Sequence, residues 1–188
     1  SGGPLLNLNK KKIQNVSVKD VLKHPTWKMG KKISIDSSTL MNKVFEVIEA
    51  KNIFNLNLDK ISILIHPKSY IHALISFNDG MIKIIAHETT MDIPILNSLF
   101  NERNPNYQNK DIKLKLLNNL NLSQVDTKRF PIINILKKIP QNISLYETVI
   151  VSANDQLVRL YLNNKIKYKD ISNILLKFLN LKEFVKLK

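Results

Sequence analysis

Wound at about 100° per residue, Leu40, Met41, Val44, Phe45, Val47 and Ile48 fill one broad arc, and Asn42, Glu46 and Glu49 line the opposite side with Lys43 at its edge. The spacing predicts an amphipathic helix over 37–52, N-capped by Asp36 or Ser37 and with Thr39 in its first turn. Upstream, Ser17 caps a short helix VKDVLKH that stops at His24-Pro25, because proline disfavours a helical residue before it. After Gly30 the run KISID, 32–36, alternates in the manner of a strand. Strands are also predicted over 61–66, 71–78 and 81–88. The last two flank Asn78-Asp79-Gly80, a hairpin signal because Asp-Gly supplies positive φ values. A helix then starts at Met91 or Asp92, tolerates Pro94 in its first turn and ends near Phe100. Residues 101–128 are polar and Asn-rich and read as a linker with one short strand at most. From Phe130-Pro131 onward the pattern is helical, over IINILKKI, the long segment 144–163 and KDISNILLKFL. The fold class is α+β, with an all-α tail.

Composition narrows the function without naming it. A chain of 188 residues, 44% hydrophobic and 23% charged, can bury a real core. No apolar run approaches the roughly 20 residues that span a bilayer, so no membrane partner is expected. The absence of cysteine removes disulfides, zinc–thiolate sites and cysteine nucleophiles, and leaves any metal to oxygen or imidazole ligands. The net charge of +14 invites a nucleic-acid reading. The excess is almost all lysine, however, with Arg103, Arg129 and Arg159 the arginines, and Lys, Asn and Ile are overused together. Those three share AT-rich codons, so a base-composition bias accounts for the charge, and no nucleic-acid partner is expected.

The polar stripe has two readings. One is a solvated face whose Lys43–Glu46 ion pair contributes about 0.2–0.5 kcal/mol. The other is a carboxylate ligand for a hard divalent cation, with Asn42 and Lys43 holding an anionic substrate beside it. His24, His66, His72 and His87 show no paired metal-ligand spacing. No GxGxxG, GxxxxGK[ST] or GxSxG occurs, and four glycines are too few for a phosphate cradle of glycine backbone. The opening Ser1-Gly2-Gly3-Pro4 without methionine marks a fragment, a processed product or a linker scar.

Taken together, SGGP (1–4), HPTWKMGKKISIDSSTLMNK (24–43), VFEVIEA (44–50), IHPKSYIH (65–72), MDIP (91–94), RFP (129–131) and a looser SAND (152–155) resemble the 1-deoxy-D-xylulose 5-phosphate reductoisomerase family in order and spacing. The 24–50 segment is the most specific. SGGP stands at the family's distance before HPxW, which favours a native segment over a scar.

The resemblance implies the central catalytic domain over 1–101, with a mainly antiparallel, dimer-forming sheet and helices. A connector over 102–128 and a small helical bundle over 129–188 follow, and the family's N-terminal NADPH-binding domain is not in this chain. It implies metal-dependent rearrangement of the ketose phosphate 1-deoxy-D-xylulose 5-phosphate and reduction by NADPH to 2-C-methyl-D-erythritol 4-phosphate, in non-mevalonate isoprenoid biosynthesis. The implied cofactors are NADPH and Mg²⁺, Mn²⁺ or Co²⁺, the implied assembly is a homodimer, and the location is bacterial cytoplasm or a plastid. By the same resemblance Glu46 is a metal ligand and Glu49 a second acid near the metal, with the other ligands upstream of this chain. Ser1, Ser37, Asn42 and Lys43 correspond to the substrate-phosphate pocket, His24 to a loop histidine reaching substrate and Trp27 to the aromatic lid over it. Met29 belongs to the same loop, Met91 and Gly30 stand on the cofactor side, and Glu46 and Lys43 are the catalytic candidates. Ser69 and His72 lie in a segment similar to one lining the site and the dimer contact. The chain departs from the family pattern at Val44, where glycine is usual, at Thr26 before the lid tryptophan, at Thr89-Thr90 before Met91 and in lacking a tryptophan near Phe100. An inactive remnant that at most dimerises is the alternative to an enzyme.

Overall fold

Two helices, joined at a left-handed residue, occupy the stretch where the sequence predicts a strand followed by one helix. In the computed structural model, which describes residues 5–6, 8, 13, 15–22, 30–100 and 114–188, a short helix α1 (Val18–Val21) capped by Ser17 is followed by α2 (Lys31–Thr39) and α3 (Met41–Phe54). KISID is therefore helical, and Asp36 and Ser37 lie in the last turns of α2 instead of capping a helix that begins there. The five-residue alternation was too short to separate the two periods. Helical spacing is what places Lys32 beside Asp36 four residues on, and it turns Ile35 into the core while Ile33 stays exposed. The break falls at Leu40, with φ 65° and ψ 14°. A leucine in the left-handed region costs about 1–2 kcal/mol, and burial of its side chain with Ile65 and Phe130 holds it there.

After α3, which ends on a left-handed Asn55, a 3₁₀ turn (Leu58–Lys60) leads to β1 (Leu64–Ile65), shorter than the predicted 61–66 strand. Then come β2 (Ile71–Ser76), β3 (Ile82–Ala86), α4 (Asp92–Leu99), α5 (Leu114–Leu117) and β4 (Ser123–Gln124). A 3₁₀ helix (Pro131–Lys138), α6 (Leu145–Leu162), α7 (Tyr168–Phe178) and α8 (Lys182–Val185) complete the chain. Ile132 and Ile135 are buried at a spacing of three, which suits the 3₁₀ form of a segment the sequence marks only as helical. The fold class is α+β.

The chain forms two compact units. The first combines residues 1–65 with 124–188, and the second is 66–123. Compactness thus cuts the chain at other points than the sequence division at 101/102 and 128/129. In the first unit one face of α6, carrying Tyr146, Ile150, Leu157, Val158 and Tyr161, packs with α7, α2, α3 and the 3₁₀ helix in one apolar core. A short ladder of β1 with β4 lies where the two segments of this unit end. The second unit is built on the β2–β3 hairpin, antiparallel with Leu74 opposite Ile84 and Ser76 opposite Ile82. Its turn closes at Gly80, φ 87°, where the predicted Asp-Gly signal stands. Among the described residues no helix is long and apolar enough to cross a membrane.

Candidate functional site

The first two turns of α3 present the polar stripe as an ordered cluster. Asn42 Nδ2 donates to Glu46 Oε1 at 2.8 Å, and Lys43 Nζ pairs with Glu46 Oε2 at 2.6 Å. Both oxygens of one carboxylate are therefore used, by partners four and three residues earlier, as neighbouring positions on one helix face allow. The side chains stay accessible, Lys43 at 31% and Glu46 at 44% of full exposure, so the pairing costs little to exchange for another partner. Glu49 is exposed one turn further along. Ser37, half-buried, sits in the last turn of α2 three residues before the joint at Leu40. The joint thus brings a hydroxyl, an amide, an amine and a carboxylate into consecutive turns across a bend.

The remaining sequence candidates are placed less fully. Ser1, His24, Trp27 and Met29 lie outside the described residues. Gly30 is the exposed N-cap of α2, and a Cβ there would meet nothing within 4 Å among the described residues. Met91 belongs to the second unit, where it precedes α4 and is exposed. His72, also in the second unit, stacks on His87 with ring centroids 3.6 Å apart. Among the described residues no three His, Asp or Glu gather as a metal cage. Glu46 offers hard-oxygen chemistry that fits Mg²⁺ or Mn²⁺, as one ligand of the roughly six that such ions take.

A second polar cluster, between α2 and α6, has no motif of its own in the sequence. Asp36 is 1% exposed. Its carboxylate receives Lys32 Nζ at 2.7 Å and Asn154 Nδ2, from α6, at 2.9 Å, while Lys32 also reaches Asp155 at 3.0 Å. Burial pushes the Asp36 carboxyl above the ordinary carboxylate range, and the hydrogen bonds from Lys32 and Asn154 only partly offset it. Burial pulls the Lys32 amine down, but its bonds to Asp36 and Asp155 outweigh this and leave it raised. Asn154 and Asp155 are the last two residues of the SAND run, which carries a loose family resemblance and no sign of this contact. From α7, the Tyr168 hydroxyl, whose pKa burial raises strongly, meets Ser38 Oγ at 3.2 Å.

Known proteins match the chain over most of its length. The family model for the 1-deoxy-D-xylulose 5-phosphate reductoisomerase C-terminal domain matches residues 1–54. A second, for the DXP reductoisomerase C-terminal domain, matches residues 87–188. The 1-deoxy-D-xylulose 5-phosphate reductoisomerase of Pelagibacter ubique is 58% identical over 188 residues, covering 100% of this chain and 48% of that protein. That of Aquifex aeolicus is 36% identical over 175 residues, covering 93% and 46%. A crystal structure of DOX-P reductoisomerase in complex with NADPH, fosmidomycin and magnesium superposes with a TM-score of 0.87 at 30% identity, over 98% of this chain and 45% of that one. The Zymomonas mobilis enzyme in complex with NADPH gives 0.83 at 30% identity, over 95% and 46%. The chain spans about half the length of the curated relatives it matches.

Proposed function

The chain belongs to the 1-deoxy-D-xylulose 5-phosphate reductoisomerase family, and on that footing we propose that it supplies the substrate-binding face and C-terminal helices of an enzyme converting 1-deoxy-D-xylulose 5-phosphate to 2-C-methyl-D-erythritol 4-phosphate with NADPH and a divalent metal. The observation that carries the proposal is the Asn42–Lys43–Glu46 cluster, standing on the first turns of α3 within the most specific stretch of the resemblance. In this reading Lys43, Asn42 and Ser37 hold the substrate phosphate through charge-assisted and neutral hydrogen bonds, together with Ser1. His24 and Trp27 close over the carbon chain, Met91 packs on the nicotinamide side, and Gly30 lies near the cofactor. Glu46 contributes one metal ligand and Glu49 a nearby negative charge. The metal, when bound, polarises the ketone as a Lewis acid.

The free geometry suggests how Lys43 and Glu46 wait for their partners. Each satisfies the other through an accessible ion pair of about 0.2–0.5 kcal/mol, so a phosphate can take Lys43 and a cation can take Glu46 at small cost. Two cheaply exchanged charges of opposite sign match a substrate that arrives as an anion beside a cation.

The experiment joins this chain to the N-terminal half of the Pelagibacter ubique relative and follows NADPH oxidation with 1-deoxy-D-xylulose 5-phosphate and Mn²⁺. Turnover is expected, with Glu46→Gln lowering kcat by about 10²-fold or more, the scale of losing a preorganised electrostatic group. Full activity in the Gln variant would remove Glu46 from the site. The isolated chain is expected to oxidise no NADPH, since it carries no glycine-rich dinucleotide loop.

The β2–β3 hairpin supports the homodimer. Leu74, Ile82 and Ile84 share one face and are all exposed, which is the composition of a sheet face covered by another copy.

A further inference from the structure

We propose that Asp36 and Asn154 are positioning residues: helix α6 holds the α2–α3 joint through them, and so sets where Ser37 stands relative to Asn42 and Lys43. This rests on the reading of those three residues as an anion site, and it assigns part of that site's geometry to a helix 118 residues away in sequence.

The contact is built for direction more than for packing. A carboxylate that is 1% exposed carries a desolvation cost which an apolar side chain at the same point of α2 would not. Asn154 itself is fully buried, and its Oδ1 has no partner among the described residues. Turning the amide over would set that oxygen against the Asp36 carboxylate, so the amide keeps Nδ2 toward Asp36 at the expense of its own acceptor. Both groups accept a cost in order to meet, and what the meeting fixes is the end of α2.

From Asp36 a chain of hydrogen bonds runs to the site. Thr39 Oγ1 donates to the Asp36 carbonyl at 3.2 Å and itself accepts from Met41 N at 3.3 Å. Met41 opens α3 directly before Asn42 and Lys43. Between them Leu40 holds its left-handed conformation, so the two helices meet at a defined angle. From α7, Tyr168 braces Ser38, whose hydroxyl also donates to the Ile35 carbonyl at 2.7 Å. Oriented groups lose much of their effect when displaced by about 1 Å, and a joint with one end loosened would move Ser37 against Asn42 and Lys43.

The test uses the 188-residue chain with inorganic phosphate as the probe. Binding is followed on the Asn42 and Lys43 amide resonances, hydrogen exchange is followed over 37–43, and melting is recorded separately. Wild-type chain is expected to bind phosphate, and Lys43→Ala to lose it. Asn154→Ala is expected to weaken phosphate by about tenfold or more and to speed exchange over 37–43, at temperatures far below its melting point. Asn154→Asp should do the same by setting two carboxylates face to face. Asp36→Asn keeps an oxygen for Asn154 Nδ2 and is expected to hold near wild-type affinity. A lowered melting point in Asn154→Ala with unchanged phosphate affinity and unchanged exchange over 37–43 would overturn the inference while leaving the anion site standing. Binding that survives Lys43→Ala would instead overturn the anion-site reading, and exchange over 37–43 would still decide whether α6 holds the joint.

Discussion

Single residues decide the chemistry of this chain, and the informative ones are the buried charges. Asp36 takes up its proton more readily in the folded chain than in the unfolded one, whose carboxyl titrates at the ordinary 3.8. A raised folded value means that its contribution is fully present below 3.8 and is lost as pH rises through the raised value. The groups facing it are Lys32, Asn154 and, through Lys32, Asp155. Asp36→Asn removes this titration. The urea midpoint of the variant relative to wild type is therefore expected to rise between about pH 4 and neutrality, because wild type alone loses the contribution over that span. A constant difference across the range would show that Asp36 titrates alike in both states. At this scale the candidate site was half legible: spacing puts Asn42, Lys43 and Glu46 on one helix face, and only the family resemblance turns that face into a candidate site. The partner of Asp36 could not be seen, because no local pattern reports a hydrogen bond to a residue 118 positions on.

Elements were legible wherever period and punctuation agreed. The hairpin at Asn78-Asp79-Gly80, the helix after Met91 and the two long C-terminal helices all follow from turn residues and 3.6-residue spacing. KISID misled because Ile33 and Ile35 alternate with polar residues over too few positions, and because two of those polar residues are wanted inside: Ser34 bonds back to the Gly30 carbonyl and Asp36 takes Lys32 and Asn154. Long-range pairing likewise secures the far end of α3. Lys51, in its last turn, is 2% exposed and pairs with Glu147 of α6 at 2.5 Å, with a further bond to the Pro140 carbonyl at 3.0 Å. Removing one member strands a buried charge, so Glu147→Gln is expected to destabilise the chain by about 3–5 kcal/mol. Replacing both, as Lys51→Met with Glu147→Leu, is expected to return most of that stability, since an apolar pair of similar volume avoids desolvation. Chemical denaturation of the two variants checks this, and a double variant no better than the single would mean that the pair fixes geometry no apolar pair can supply.

Across the whole molecule, sequence order and compactness disagree in an instructive way. Read linearly, the helical tail follows a connector as a separate piece, yet α6, α7 and the 3₁₀ helix share one apolar core with α2 and α3. Amphipathic faces announce that a helix is covered but not by what, so the closure of 124–188 onto 1–65 could not be read from pattern. The second unit poses the opposite case, an apolar face that the described residues leave open. Leu74, Ile82 and Ile84 are 36%, 66% and 46% exposed on one face of the hairpin, with Phe77 and Met81 exposed at its turn. A two-stranded hairpin is marginal in water by itself and needs such a face covered. If a second copy covers it, the chain should sediment as a dimer at micromolar concentration, and Leu74→Lys with Ile84→Lys should give a monomer, because two facing lysines add desolvation and repulsion where apolar contact was. The mutations lie outside the core shared by α2, α3, α6 and α7, so the melting of that core, read from Tyr146 and Tyr161, should change little. A wild-type chain that stays monomeric at high concentration would assign the hairpin face to a different partner.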